Sequence, residues 1–130
     1  MEIPKGNSKG DIEKRRGIIE SGLEKYKGKS FKCPCLGGVP VIVSGKSIDE
    51  ISAHASKHHD STAAALRLPS LIKSARYHRM YIPKENGQRK KFGFIFLYEL
   101  HCDTTRFGTV KLTVGVREDT HFLQYCVTMV

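Results

Sequence analysis

Residues 108–116 read Gly-Thr-Val-Lys-Leu-Thr-Val-Gly-Val, so that Val110, Leu112, Val114 and Val116 alternate with Lys111, Thr113 and Gly115. Successive side chains of a strand point to opposite faces, so this period fits a strand with one apolar and one polar face and does not fit a helix. The segments on either side, Phe92 to Cys102 and His121 to Met129, are also rich in aromatic and β-branched residues. The polar turns that join them, 103–106 and 118–120, are short enough to require antiparallel pairing. An antiparallel sheet with an apolar face needs a covering layer, and the first half of the chain supplies helical patterns for it.

Asp11 reads as the N-cap of a helix over 11–27, in which Ile12, Ile19, Leu23 and Tyr26 form a narrow apolar stripe and Glu13, Lys14, Arg15, Glu20, Glu24 and Lys25 take the other faces. Ser47-x-x-Glu50 has the form of a capping box and opens a helix over 47–59 that turns Ile48, Ile51 and Ala55 inward. Asp60-Ser61-Thr62 starts a further helix over 61–75, with a kink or restart at Pro69, which lacks the donor a helix interior needs. Phe31 to Cys35 and Val39 to Val43 are extended runs about Gly37-Gly38, and Tyr77 to Tyr81 begins another strand. The expectation is a flexible leader over 1–10 and one α+β domain over 11–130. In it, N-terminal helices pack on a mostly antiparallel sheet of about four to five strands, drawn from 30–44 and 76–129.

Lys and Arg number 22 against 13 Asp and Glu, a net charge of +9. A field of that sign on a small domain attracts polyanions: RNA, DNA or an acidic protein. A dispersed, solubilising surface is the ordinary alternative. The densest positive run is the exposed hairpin loop at 83–91, where Lys84, Arg89, Lys90 and Lys91 are the candidate nucleic-acid contacts. No apolar signal segment precedes the four cysteines, which predicts reduced thiols and a cytoplasmic location. No apolar run approaches the ~18 residues of a spanning helix, so membrane insertion is not expected. Cys33-Pro-Cys35 is a CxC without a second cysteine pair, and His54 and His58, though spaced i, i+4, have Ala55 where a zinc hydrolase helix carries Glu. Neither a metal nor a cofactor is therefore expected.

Two groups of residues have the chemistry for phosphodiester cleavage. His54, Lys57, His58 and His59 crowd the end of the second helix, where the dipole favours cations; packed or solvated residues at a basic helix end are the ordinary reading. Lys111 and Thr113 share the polar side of their strand, and His101 and Gln124 on the flanking strands can point the same way. A solvated sheet face needs polar residues in any case. Metal-free RNA cleavage requires a base for the 2′-hydroxyl, a cation for the phosphorane and an acid for the leaving oxygen, roles open to His, Lys and Tyr.

The stretches GKSIDEISAHASKH, ALRLPSLIKSARY, FGTVKLTVGV and QYCVT, about two thirds of the chain, resemble a domain of large polyvalent proteins from phages and mobile elements and of Bacteroides-type hypothetical proteins. That family is similar to the barnase, EndoU, colicin and RelE class of nuclease folds, which cleave RNA on an exposed sheet face without metal. The resemblance implies a site of His54 and Lys57 from HASKH, Lys111 and Thr113 from VKLTV, and Tyr125 from QYC. Strand parity, however, puts Tyr125 on one face with Leu123 and Val127 and so predicts it buried. The resulting expectation is RNA cleavage by transesterification, with His54 or His101 as acid or base and Lys111 stabilising the phosphorane. The alternatives are a non-catalytic adaptor for nucleic acid or for an acidic phage or host protein, and an immunity or decoy protein that shares the fold.

Overall fold

A computed structural model describes residues 2–87 and 92–130. Its strands are β1 (Lys29–Cys33), β2 (Val39–Val43), β3 (Arg76–Tyr81), β4 (Phe94–Thr104), β5 (Gly108–Arg117) and β6 (Phe122–Met129), and its helices are α1 (Lys9–Leu23), α2 (Gly45–Ala55), α3 (His59–Ala65) and α4 (Leu68–Ser74). The strands form one sheet of order β1-β2-β6-β5-β4-β3. The sheet is therefore larger than expected, with six strands. It is also mixed, because β2 pairs with β6 in parallel through Val41 and Phe122 and through Ile42 and Leu123. Local patterning could not reveal this pair: its partners lie some eighty residues apart, and short turns predict only sequential neighbours. Nor are the helices all N-terminal, since α2 to α4 lie between β2 and β3.

The apolar side of the alternation at 110–116 does what its period requires, whereas the other side is not a solvated polar face: Thr113 is buried and Gly115 lies beneath the Phe94 ring. Val110, Leu112 and Val114 join Leu100, Cys102 and Val127 in one buried cluster with Ile19 and Leu23 of α1, Ile48, Ile51 and Ala55 of α2, and Leu68, Leu71 and Ile72 of α4. A second, smaller cluster holds Phe94, Leu97, Leu123, Tyr125 and Cys126. Leu97 and Leu123 both pair with Gly115, over which the Phe94 ring lies so closely that an added Cβ would meet it at 2.5 Å.

Helix starts differ from the sequence reading in an instructive way. Ser8, not Asp11, caps α1, its hydroxyl accepting from the Asp11 amide at 3.1 Å, so α1 includes the last two residues assigned to the leader. The capping box of α2 is Ser44 with Ser47, each hydroxyl accepting from the other's amide, and Glu50 is left free of capping. Pro69 is a restart: it falls in the first turn of α4, where no amide donor is required.

Arg15, assigned to a solvent face by its helical position, is fully buried. Its Nε donates to the Ser56 carbonyl at 2.7 Å and one terminal nitrogen to the Lys57 carbonyl at 3.2 Å. The other donates to the carbonyls of Pro4 and Gly6 at 2.9 and 2.6 Å. The guanidinium thus satisfies carbonyls at the end of α2, the negative pole of that helix, and ties residues 4–6 to the domain.

Candidate functional site

β3 and β4 pair in antiparallel fashion with a register shift between Tyr77 and Arg79, which places His78 outside the regular ladder. A bulge of this kind re-aims a side chain, and here the imidazole of His78 stacks on that of His101 with centroids 4.0 Å apart and planes 12° apart. Glu99 and His101 are two residues apart on β4 and so share a face. The His101 Nε2 lies 2.7 Å from Glu99 Oε2, the His78 Nε2 lies 3.7 Å from the same oxygen, and Arg79 Nε donates to Glu99 Oε1 at 2.9 Å. Across the β4–β5 ladder His101 pairs with Lys111 and Glu99 with Thr113.

This is one carboxylate ringed by two imidazoles and a guanidinium. Desolvation pushes the Glu99 carboxyl up, but hydrogen bonds from His101 and Arg79, with the charges of Arg79 and Lys111, outweigh it and hold the group below its ordinary range. Glu99 is therefore an anion at neutral pH. The cluster is layered: His101 is nearly buried at 8 % exposure, with His78, Arg76 and Arg79 exposed beside it. Arg76 forms a two-pronged pair with Asp103, at 3.1 and 3.2 Å, and that bond above all lowers the Asp103 carboxyl. On β6, Thr128 pairs with Lys111 and buries its hydroxyl with no hydrogen-bond partner among the described residues.

The residues singled out from sequence fall into separate places. His101 and Lys111 are cross-strand neighbours, as the short turns imply. Thr113 shares their face but is 1 % exposed, so its hydroxyl is not offered to solvent. Gln124 is buried too, its amide donating to the carbonyls of Thr113 and Cys126 at 3.3 and 2.9 Å. Tyr125 is buried as predicted, although for a different reason. A register shift in the β5–β6 ladder leaves it outside the regular pairing, and it joins Leu123 against Phe92 and Phe94, whereas Val127 belongs to the main core.

His54 lies in the last turn of α2, with Glu50 at 3.4 Å and the Tyr125 ring centroid at 6.5 Å. Lys57 is exposed in the turn beyond, and α2 ends at Ala55, so His54 and His58 do not share a helix face. Lys84 is exposed, while Arg89, Lys90 and Lys91 lie outside the described residues. The thiols Cys33 and Cys35 stand 3.6 Å apart, and burial, with the neighbouring Cys35 thiol, pushes Cys33 up to about 12, a protonated state that does not suit a nucleophile.

His78, Arg79 and Glu99 were absent from the sequence-based site. The available signal was Glu99-x-His101, a strand pair of opposite chemistry on one face. His78 could not be foreseen, because simple alternation over Arg76 to Tyr81 does not reveal the register shift. Compared with protein-family models, curated proteins and solved structures, the chain matches none.

Proposed function

We propose that this protein is an RNA-directed domain that cleaves phosphodiester bonds by metal-free transesterification at the sheet face built by His78, Glu99, His101 and Lys111. The observation that supports this reading is the composition of the Glu99 cluster. Two imidazoles, a carboxylate held as an anion and two cationic side chains meet on adjacent strands of a chain with a net charge of +9. Attack of a ribose 2′-hydroxyl on the neighbouring phosphorus forms a 2′,3′-cyclic phosphate and releases the 5′-oxygen. It needs one proton acceptor, one proton donor and positive charge at the phosphorane.

In this reading His78, the exposed imidazole, takes the proton of the attacking 2′-hydroxyl and returns it to the departing 5′-oxygen. Glu99 and the nearly buried His101 orient it from below, and Lys111 and Arg79 face the phosphorane charge. Lys84, exposed on the connection after β3, adds a positive charge for the RNA backbone. The helix-end residues His54 and Lys57 take no part in the bond change.

The test is digestion of total RNA and of a short oligoribonucleotide by wild type, His78→Ala and Lys111→Ala. Cyclic-phosphate ends formed by wild type and reduced about a hundredfold or more in each variant support the reading, the loss general acid–base catalysis typically carries. Equal background in all three overturns it.

A second reading, a non-catalytic adaptor, is favoured by the edge strand β3. Tyr77, Met80 and the neighbouring Ile82 are 51 %, 50 % and 75 % exposed on an outer strand of the sheet, an arrangement that suits addition of a partner strand. If RNA affinity does not fall as salt rises toward physiological strength, phosphate contacts do not carry binding and a protein partner becomes the reading to pursue.

A further inference from the structure

We infer that His78, Glu99 and His101 form a binding site for a divalent transition-metal ion of the zinc class. Each residue offers one ligand atom, and the three atoms lie within 4.8 Å of one another. A tetrahedral zinc ion with bonds of about 2.0–2.1 Å holds its ligand atoms roughly 3.4 Å apart. The two separations from Glu99 Oε2, 2.7 Å to His101 and 3.7 Å to His78, bracket that value.

Two imidazole nitrogens with one carboxylate oxygen select zinc, copper, nickel or cobalt over magnesium and calcium, which prefer all-oxygen shells. Arg79 holds Glu99 Oε1 and leaves Oε2 facing the imidazoles, the outer-shell arrangement that orients a ligating carboxylate.

Nearly parallel rings do not aim both nitrogens at one point, so one ring must swing. His78 is free to do so, with 46 % of its side chain exposed and a bulged backbone, whereas His101 is fixed beneath it. An ion taking this position comes between His101 Nε2 and Glu99 Oε2, and any proton on that nitrogen is displaced. Three protein ligands leave a fourth position open. Arg79 and Lys111 beside it favour an anion there, a hydroxide or a phosphate oxygen.

Ion binding itself does not depend on the RNA reading. Its consequence does: a metal on His78 removes the proton-transfer group, so zinc would inhibit metal-free cleavage.

The experiment is a titration of the full chain with Co²⁺, read by visible absorption, followed by displacement with Zn²⁺ and carried out without RNA. Wild type is expected to bind one ion per chain. His78→Ala and Glu99→Gln should weaken binding about tenfold or more, the scale seen for losses around metal sites. His121→Ala, whose imidazole pairs with Asp119 in an exposed turn, should leave binding unchanged. Because His78 is exposed, its variant keeps the fold, and a denaturation curve recorded in parallel checks this. Absence of binding by wild type, or equal binding by wild type and both site variants, overturns the inference. Either result leaves the RNA reading to its own assay.

Discussion

Arg15 and Glu99 each sit at the centre of a polar cluster, and the two clusters are built on opposite principles. Arg15 is fully buried and, among the described residues, donates only to backbone carbonyls, those of Pro4, Gly6, Ser56 and Lys57. None of its partners can titrate or move without the chain moving. Glu99 is surrounded by side chains, two of them imidazoles, and one of those is exposed. Its partners can exchange protons, rotate and bind other groups. The first arrangement fixes a fold; the second is one that chemistry can use.

Of substitutions in the two clusters, the largest effect is expected at Arg15. Arg15→Ala leaves carbonyls at the end of α2 and near the N-terminus without their donor and opens a void. It should cost about 3 kcal/mol or more, read as a fall in the denaturation midpoint. If midpoint and slope stay unchanged, the clamp is not structural. Gly115→Ala comes next: its Cβ would meet the Phe94 ring at 2.5 Å, and overpacking of a filled core typically costs ~1–3 kcal/mol.

Glu99→Gln should cost less, about 1 kcal/mol at neutral pH, because Arg79 and His78 remain in contact with solvent and Gln keeps the shape. The sign of its pH dependence sharpens the contrast. A carboxyl held below its ordinary value, 4.5, contributes stability that is fully present above that value and is lost as pH falls through its lower folded-state pKa. The gap between wild type and Glu99→Gln should therefore close on acidification from pH 7 toward pH 3. An Arg15→Ala gap that closes in the same window would show that the two clusters are coupled.

The sheet was legible in the sequence where its signals are local. The alternation at Val110 to Val116 and the short turns at 103–106 and 118–120 were enough to order β4, β5 and β6. The parallel contact between β2 and β6 was not legible, because nothing in Val39–Val43 names a partner eighty residues away. His101 and Lys111 were legible for the same reason as the sheet, since cross-strand register follows from turn length. His78 and Arg79 were hidden by the irregular register of β3, and the burial of Arg15 by tertiary packing that overrides helical position. Tyr125 shows how far parity reasoning carries: it gave burial and the Leu123 neighbourhood, and it missed the irregularity that parts Tyr125 from Val127.

On the proposed reading, nucleic acid meets this protein at the Glu99 cluster and not at the end of α2. A non-cleavable 2′-O-methyl oligoribonucleotide, titrated into protein whose imidazole and lysine signals are followed by NMR, tests it without relying on turnover. Perturbation of His78, His101 and Lys111, with His54 and His58 unmoved, is the predicted result. Perturbation confined to His54, His58 and Lys57, or none at all at saturating oligonucleotide, would contradict it.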